Sequence, residues 1–201
     1  LYSQSVMMTI NSICICGAGT MGSGIAQASA QSGFHTILYE LNESVLQKAQ
    51  QSIQQNLESL LAKGRITREW MLGVMGRIRF TSDLQDCLAD IIIEAIVEKP
   101  ELKIALFNQL AELNHSEVIF ASNTSSLSVS RIAEGVQKPE RVIGMHFFNP
   151  ATIMKLVEVI RGYATSDAVC QAVMALSKQL EKVPVEVNDY PGFVANKILM
   201  P

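Results

Sequence analysis

Short apolar runs alternate with longer segments of helical periodicity along most of the chain. The first run, residues 10–16, stops at Gly17, and residues 20–32 are rich in alanine, glycine and isoleucine up to Gly33. A short apolar run that ends at glycine predicts a buried strand, and a longer segment before a glycine predicts a helix. Further strands are predicted at residues 36–39, 78–80, 91–95, 118–121, 142–147, 156–160 and 183–187. Further helices are predicted at residues 43–62, 65–76, 101–113 and 167–180.

Strands that alternate with helices imply an α/β fold with a mostly parallel sheet covered on both faces. The last strands follow one another with little helix between them, which predicts an antiparallel extension. The one convincing boundary signal is Asp189-Tyr190-Pro191-Gly192. We therefore expect one domain over residues 7–190, with residues 191–201 beginning another. Residues 1–6 resemble the remnant of an engineered protease site and do not enter the fold reasoning.

Composition narrows the classes of function. Hydrophobic residues make up 48% of the 201 residues, which favours a sizeable core over disorder. Sixteen Lys and Arg against nineteen Asp and Glu give a formal charge of −3, without a basic block. We therefore expect neither nucleic acid nor a membrane as a partner. The apolar runs are also far shorter than the roughly 18 residues of a membrane span.

The four cysteines, at positions 14, 16, 87 and 170, do not form a disulfide scaffold in a chain this long. Cys14 and Cys16 lie two apart on the first predicted strand and therefore face the same way. A zinc site would need more ligands nearby, and the chain has only three histidines. We predict no metal site, and buried free thiols in a reducing compartment.

A glycine-rich turn follows the first predicted strand. Residues 17–22 fit G-x-G-x-x-G, open a helix and are followed by Glu40 at the end of the next strand. This context indicates a Rossmann-like, doubly wound fold that binds a dinucleotide. Gly17 would permit the tight turn, Gly19 would allow a pyrophosphate to approach the backbone, and Gly22 would allow the helix to pack closely. The free amides at the start of the helix would attract the phosphates. Glu40 would accept hydrogen bonds from the ribose and repel the extra phosphate of NADP, so NAD is favoured.

His146 ends the predicted strand 142–147, at the edge where ligands bind in such sheets. Glu158 lies twelve residues on, in the next predicted strand, and an antiparallel return would bring it beside His146. A histidine paired with a carboxylate is a general base whose charged form is stabilised.

The polar segment 122–126, Ser-Asn-Thr-Ser-Ser, follows another predicted strand. It is either an ordinary turn and helix cap, because Ser128 precedes a short helical stretch, or a hydroxyl-rich loop facing nicotinamide and substrate. The pattern alone does not separate these alternatives.

Six motifs, taken together, resemble the L-3-hydroxyacyl-CoA dehydrogenases, including the 3-hydroxybutyryl-CoA enzymes. The resemblance runs from about residue 8 to residue 201. In chain order the motifs are Gly-Ala-Gly-Thr-Met-Gly-Ser-Gly-Ile-Ala-Gln, Glu-Ala-Ile-Val-Glu, Ser-Asn-Thr-Ser-Ser-Leu, His-Phe-Phe-Asn-Pro, Lys-Leu-Val-Glu-Val-Ile and Pro-Gly-Phe-Val-Ala-Asn-Lys. The set is far more specific than the glycine motif alone, and it implies NAD-dependent oxidation of an acyl-CoA substrate.

The resemblance assigns roles residue by residue. It implies that His146 is the catalytic base, that Glu158 is its partner, that Ser125 contacts cofactor and substrate, and that Asn196 holds the substrate's reacting end. Asn56 and Lys63 match positions that contact CoA, although a surface lysine is more commonly just solvated. The positions implied around NAD are Gly17, Gly19, Thr20, Met21, Gly22, Glu40, Glu98, Lys103, Ser125 and Asn149.

The family continues with a C-terminal helical domain that carries the dimer contact and one wall of the substrate cleft. By this resemblance the chain is an isolated cofactor domain of a homodimeric parent, poorly active alone. We expect a cytoplasmic location, or the mitochondrial matrix if a transit peptide has been removed. Two alternatives remain open: a non-catalytic dinucleotide-binding module, and a related dehydrogenase of a free hydroxy or sugar acid.

Overall fold

The computed structural model describes residues 8–189, which fold into one eight-stranded sheet with helices packed against it. Asn196, the segment 190–201 and the segment 1–7 lie outside the described residues. The strands are β1 (Ser12–Cys16), β2 (His35–Tyr39), β3 (Ile78–Thr81), β4 (Ile91–Glu94), β5 (Ile119–Ser122), β6 (Val142–Phe147), β7 (Leu156–Arg161) and β8 (Val183–Asn188). The helices are α1 (Thr20–Gln31), α2 (Glu43–Ala62), α3 (Arg68–Gly76), α4 (Pro100–Leu113), α5 (Val129–Glu134) and α6 (Asp167–Gln179).

The strand order is β3-β2-β1-β4-β5-β6-β7-β8. Strands β1 to β6 pair in parallel, β7 runs antiparallel to β6, and β8 is parallel to β7. The predicted doubly wound sheet with an antiparallel extension is therefore confirmed. The order reverses between β1 and β4, and ligands of such sheets bind in the crevice that opens at this reversal.

The local signals in the sequence account for most element boundaries. Asn42 caps α2, because its side chain accepts hydrogen bonds from the amides of Ser44 and Val45. The predicted helix 65–76 begins later, at Arg68, because the Thr67 side chain accepts from the amide of Trp70 and fixes the first turn there. Two short 3₁₀ turns, Leu84–Asp86 and Pro139–Arg141, were not predicted.

The alternation of side chains along β1 supplies two apolar cores, one on each face of the sheet. Ile13 and Ile15 pack into the first core with helices α1 and α2, and Cys14 and Cys16 pack into the second. The rings of Phe107 and Phe120 meet in the second core at a centroid distance of 5.0 Å. Burial on both faces fits a central parallel strand. Within residues 8–189, no helix is both long and apolar enough to cross a membrane.

Candidate active site

The glycine turn after β1 is shaped by backbone contacts that exclude larger residues. Gly17 has a φ of +100°, and a Cβ there would lie 2.7 Å from the carbonyl oxygen of Ala95. A Cβ at Gly22 would lie 1.7 Å from the carbonyl oxygen of Gly17. Both positions therefore require glycine for the turn itself and for the close approach of α1.

Gly19 differs from these two glycines, because a Cβ added there would meet no atom within 4 Å. Gly19 is also the N-cap of α1, and no side chain caps this helix start. The first amides of a helix, here at Thr20 and Met21, have no acceptor within the helix. The open space in front of uncapped amides is a cradle that fits a pyrophosphate group.

Glu40 follows β2 and leans toward the glycine turn. Its carboxylate accepts hydrogen bonds from the amides of Ala18 and Asn42, both at 3.1 Å. These contacts fix the carboxylate beside the turn, where it can meet the ribose hydroxyls of an adenosine.

His146 and Glu158 are direct partners in the antiparallel pair β6 and β7. Nδ1 of His146 lies 2.9 Å from Oε2 of Glu158, and the two residues are only 8% and 2% exposed. The predicted juxtaposition is present because β7 returns antiparallel in this register. The ring of Phe148 packs on the His146 ring at a centroid distance of 4.6 Å and restricts its orientation.

A cavity of about 420 Å³ opens beside His146 at the carboxyl ends of the strands. It brings together predicted residues from the glycine turn, α4, the loop after β5 and the end of β6. The residues predicted from sequence that line it are Met21, Glu98, Lys103, Ser125, His146 and Asn149.

Lys103 is a buried cation between two carboxylates on one side of this cavity. Its Nζ lies 2.6 Å from Oε1 of Glu94 and 2.9 Å from Oε2 of Glu98. Burial raises the pKa of Glu94 even though Lys103 acts to lower it. Burial would also raise the pKa of Glu98, but hydrogen bonds from Lys103, Ser125 and Thr124 outweigh it and lower that pKa. Glu98 is therefore an ionised acceptor.

Glu98 in turn holds the hydroxyl-rich loop after β5. Its Oε1 accepts from the Ser125 amide at 2.9 Å and from the Thr124 hydroxyl at 2.8 Å. The helix-cap alternative is confirmed for Ser128, which accepts from the Arg131 amide at the start of α5. Ser125 lines the cavity, and its contact with nicotinamide and substrate stays a prediction.

The sequence patterns did not identify three residues that position this site. Glu94 interrupts an apolar strand, a signal that a buried partner exists, and also accepts from the Ser122 hydroxyl at 2.7 Å. Asn123 accepts from the Phe147 amide at 2.8 Å and so joins the end of β6 to the loop after β5. The position of Asn123 inside the Ser-Asn-Thr-Ser-Ser-Leu motif is the sequence feature that could have identified it.

Lys182 is the third missed residue, and no local pattern marks it. It is 8% exposed, and its Nζ donates to the carbonyl oxygens of Ala151 at 2.5 Å and Met154 at 2.9 Å. These bonds fix the turn that follows the cis bond between Asn149 and Pro150. Burial and the nearby charge of Lys155 lower the pKa of Lys182.

A second cavity of about 310 Å³ lies between α1, α2 and the turn after Asn149. Asn56 lines it, and its side chain donates to Gln27 at 3.3 Å. Lys63 is the C-cap of α2, seven residues and about two turns beyond Asn56, and does not line the cavity. Asn149 lines both cavities and therefore lies between them.

Comparison with known proteins places the chain among dehydrogenases. Residues 12–190 match the family described as 3-hydroxyacyl-CoA dehydrogenase, NAD binding domain. The probable 3-hydroxybutyryl-CoA dehydrogenase of Deinococcus radiodurans is 46% identical over 188 residues, covering 93% of this chain and 67% of that protein. The probable 3-hydroxybutyryl-CoA dehydrogenase of Bacillus subtilis is 44% identical over 195 residues, covering 96% and 68%.

A solved structure agrees with these relatives. The crystal structure of (S)-3-hydroxybutyryl-CoA dehydrogenase from Ralstonia eutropha is similar at a TM-score of 0.92 and 42% identity, covering 95% of this chain and 68% of that one. The prediction of NAD as the cofactor is confirmed at the level of the family, which is an NAD-binding one. The chain therefore belongs to the NAD-binding domain family of the 3-hydroxyacyl-CoA dehydrogenases.

Proposed function

We propose that this chain binds NAD at its glycine turn and supplies the general base for oxidising an L-3-hydroxyacyl-CoA to the 3-ketoacyl-CoA. The observation that carries the proposal is the buried His146–Glu158 pair at the edge of a cavity that also reaches the start of α1. A module that only binds a dinucleotide needs no such pair. The dinucleotide-binding unit that we propose is residues 7–190.

The residues of the glycine turn would hold the cofactor. The amides of Thr20 and Met21 would bind the pyrophosphate in front of Gly19, and Gly17 and Gly22 would keep the turn in shape. Glu40 would accept hydrogen bonds from the adenosine ribose. Its carboxylate would repel the 2′-phosphate of NADP, which supports NAD as the preferred dinucleotide.

The base would work through the two nitrogens of one imidazole ring. Glu158 would accept a hydrogen bond from Nδ1–H, which would fix the tautomer and leave Nε2 free to accept a proton. Nε2 would then take the proton from the substrate's 3-hydroxyl. NAD, when bound, accepts the hydride from C3 of the substrate.

The residues around the cavity would hold the substrate and the nicotinamide in place. Ser125 would contact both, because it lines the cavity and the hydrogen bond from its backbone amide to Glu98 fixes its loop there. Glu98, Lys103 and Asn149 would border the nicotinamide end of the cofactor. We also propose that Asn196 holds the reacting end of the substrate.

The part of the second cavity that lies against α2 is the proposed path of the CoA moiety, because Gly19 and Thr20, which also line this cavity, would hold the NAD pyrophosphate. Asn56 lines it together with Lys48. Lys63 would reach the CoA phosphates from the end of α2, on the same helix face as Asn56. The polar, partly basic lining fits a phosphorylated carrier such as CoA better than it fits a free hydroxy acid.

We place the protein in the cytoplasm. The four cysteines are free thiols, which fits a reducing compartment, and the relatives named above are bacterial.

A substrate panel tests the proposal. The protein is mixed with NAD and either 3-hydroxybutyryl-CoA, free 3-hydroxybutyrate or a sugar acid, and NADH formation is followed. We expect NADH only with the CoA thioester. NADH formed only from a free acid would assign the protein to the other dehydrogenase class. Because turnover by this chain alone is expected to be slow, the binding module is favoured only if NAD binds and NADH formation with every substrate equals the rate without protein.

A further inference from the structure

Three cysteines from distant parts of the chain converge in the second core. The sulfur atoms of Cys14, Cys16 and Cys87 all lie within 4.8 Å of one another, and the three residues are fully buried. Cys14 and Cys16 project from the same face of β1, and their sulfurs are 4.0 Å apart. Cys87 approaches them from the loop that follows the 3₁₀ turn Leu84–Asp86.

Cys87 is held in this position by hydrogen bonds on both sides. The side-chain amide of Asn114 donates to the carbonyl oxygen of Cys87 at 2.8 Å and accepts from the amide of Ala89 at 3.0 Å. The Cys87 amide also donates to the carbonyl oxygen of Leu84 at 3.1 Å. These hydrogen bonds fix the loop that places the thiol of Cys87.

The spacing matches what a metal ion requires. Zinc–sulfur bonds are about 2.3 Å long, so three sulfurs around one ion in a plane lie about 4.0 Å apart. Cys14 and Cys16 already have this separation, and closing the widest sulfur pair needs a shift of less than about 1 Å. Thiols that only fill an apolar core have no need to converge on one point.

The sequence predicted no metal site, but the convergence of Cys87 on the other two thiols supplies a third ligand. We propose that Cys14, Cys16 and Cys87 form a binding site for one thiophilic divalent cation of the zinc or cadmium kind. Charge favours a divalent ion over a monovalent one. Three thiolates around it leave one net negative charge in an apolar core, whereas a monovalent ion leaves two, and buried charge is costly. Soft thiolate ligands also select against magnesium and calcium. The site lies outside the two cavities of the proposed active site.

Cadmium titration tests this site directly. The reduced protein, stripped of metal by a chelator, is titrated with Cd²⁺ while the ultraviolet thiolate-to-metal charge-transfer band and the bound metal per chain are measured. We expect one Cd²⁺ per chain with a strong band, and a Tm that rises with bound metal. The Cys87→Ser protein should bind at least tenfold more weakly and lose most of the band.

Cys170 provides the matched control, since it is a buried free thiol in the other core. Cys170→Ser should bind Cd²⁺ like the unaltered protein. If Cys87→Ser does not fold, as judged by NAD binding, the Cys87→Ala variant is used in its place, because alanine keeps this position apolar. Absence of the band, equal binding by the Cys87 variant, or loss of binding in Cys170→Ser would each overturn the proposal.

Discussion

Nζ of Lys103 lies 2.6 Å from Oε1 of Glu94, although the two side chains are 1% and 0% exposed. The pair joins the start of α4 to the end of β4, at the point where the sheet order reverses. Removing one member of a buried ion pair leaves the other charge without compensation. This pair therefore connects the stability of the fold with the placement of Glu98 and the serine loop.

Lys103→Met should destabilise the protein by about 3–5 kcal/mol, because Glu94 then remains as a buried carboxylate. The loss should be smaller near pH 5 than near pH 8, since protonation of Glu94 removes the uncompensated charge. Urea unfolding at both pH values measures the loss in the free energy of unfolding. Lys99→Met, at the exposed N-cap of the same helix, is the control and should change little. A pH-independent loss, or equal losses in both variants, would contradict this account.

Gly19→Val should raise the dissociation constant of NAD at least tenfold without lowering Tm. The backbone of Gly19 has a φ of −68°, and a Cβ there meets only open space, so the new side chain fills the pyrophosphate cradle and strains nothing. Gly76→Val is the matched control, because a Cβ there also meets nothing within 4 Å. Calorimetric titration and thermal melts on both variants decide the matter: unchanged NAD affinity in Gly19→Val would remove the glycine turn from the binding site.

Glu40 should make the protein prefer NAD to NADP. Glu40→Gln removes the charge that repels the 2′-phosphate and keeps one acceptor oxygen, so only one of the two hydrogen bonds from the amides of Ala18 and Asn42 survives. We expect weaker NAD binding, and a smaller gap between the two dinucleotides, in parallel titrations. Equal or tighter binding of NADP by the unaltered protein would show that Glu40 does not select the cofactor.

Asp189 ties the end of β8 to the first turn of α5. It accepts from the Ser130 amide at 2.7 Å and from the Val129 amide at 3.0 Å. Burial would raise the pKa of Asp189, but these bonds and those from the serine hydroxyls outweigh it and lower that pKa. A carboxyl group with a lowered folded-state pKa contributes stability above its unfolded pKa of about 3.9 and loses it as the pH falls further.

Asp189→Asn should therefore cost about 0.5–2 kcal/mol at neutral pH, the usual range for losing a helix-capping carboxylate. The difference from the unaltered protein should close as the pH falls below about 4. Denaturant unfolding across this pH range gives both numbers. A gap that stays constant, or widens in acid, would show that the charge of Asp189 contributes nothing.

Sequence patterns predicted the strands, the helices and the His146–Glu158 pair for one physical reason. Each depends on local periodicity or on a short return of the chain, and the eleven residues between His146 and Glu158 are too few for a helical crossover between parallel strands. The register then places the two residues directly opposite.

The missed features depend on contacts between different elements, which the periodicity of any one element does not specify. A glutamate in an apolar strand indicates a buried partner, but only the packing of α4 against the sheet shows that this partner is Lys103. Loop conformation in the folded protein places Cys87 beside Cys14. It also brings Lys182 within hydrogen-bond distance of the turn after Pro150. No periodicity in the sequence carries that information.

Single-turnover hydride transfer tests the central claim most directly. Protein in excess over 3-hydroxybutyryl-CoA, with saturating NAD, is mixed rapidly, and NADH formation is followed for the unaltered protein, His146→Gln and His115→Gln. His115 is a half-exposed histidine at the other end of the sheet and serves as the matched control. We predict that His146→Gln binds NAD normally but transfers hydride about 10²–10⁴-fold more slowly, whereas His115→Gln is unchanged. Transfer by His146→Gln at the rate of the unaltered protein would contradict the assignment of His146 as the base.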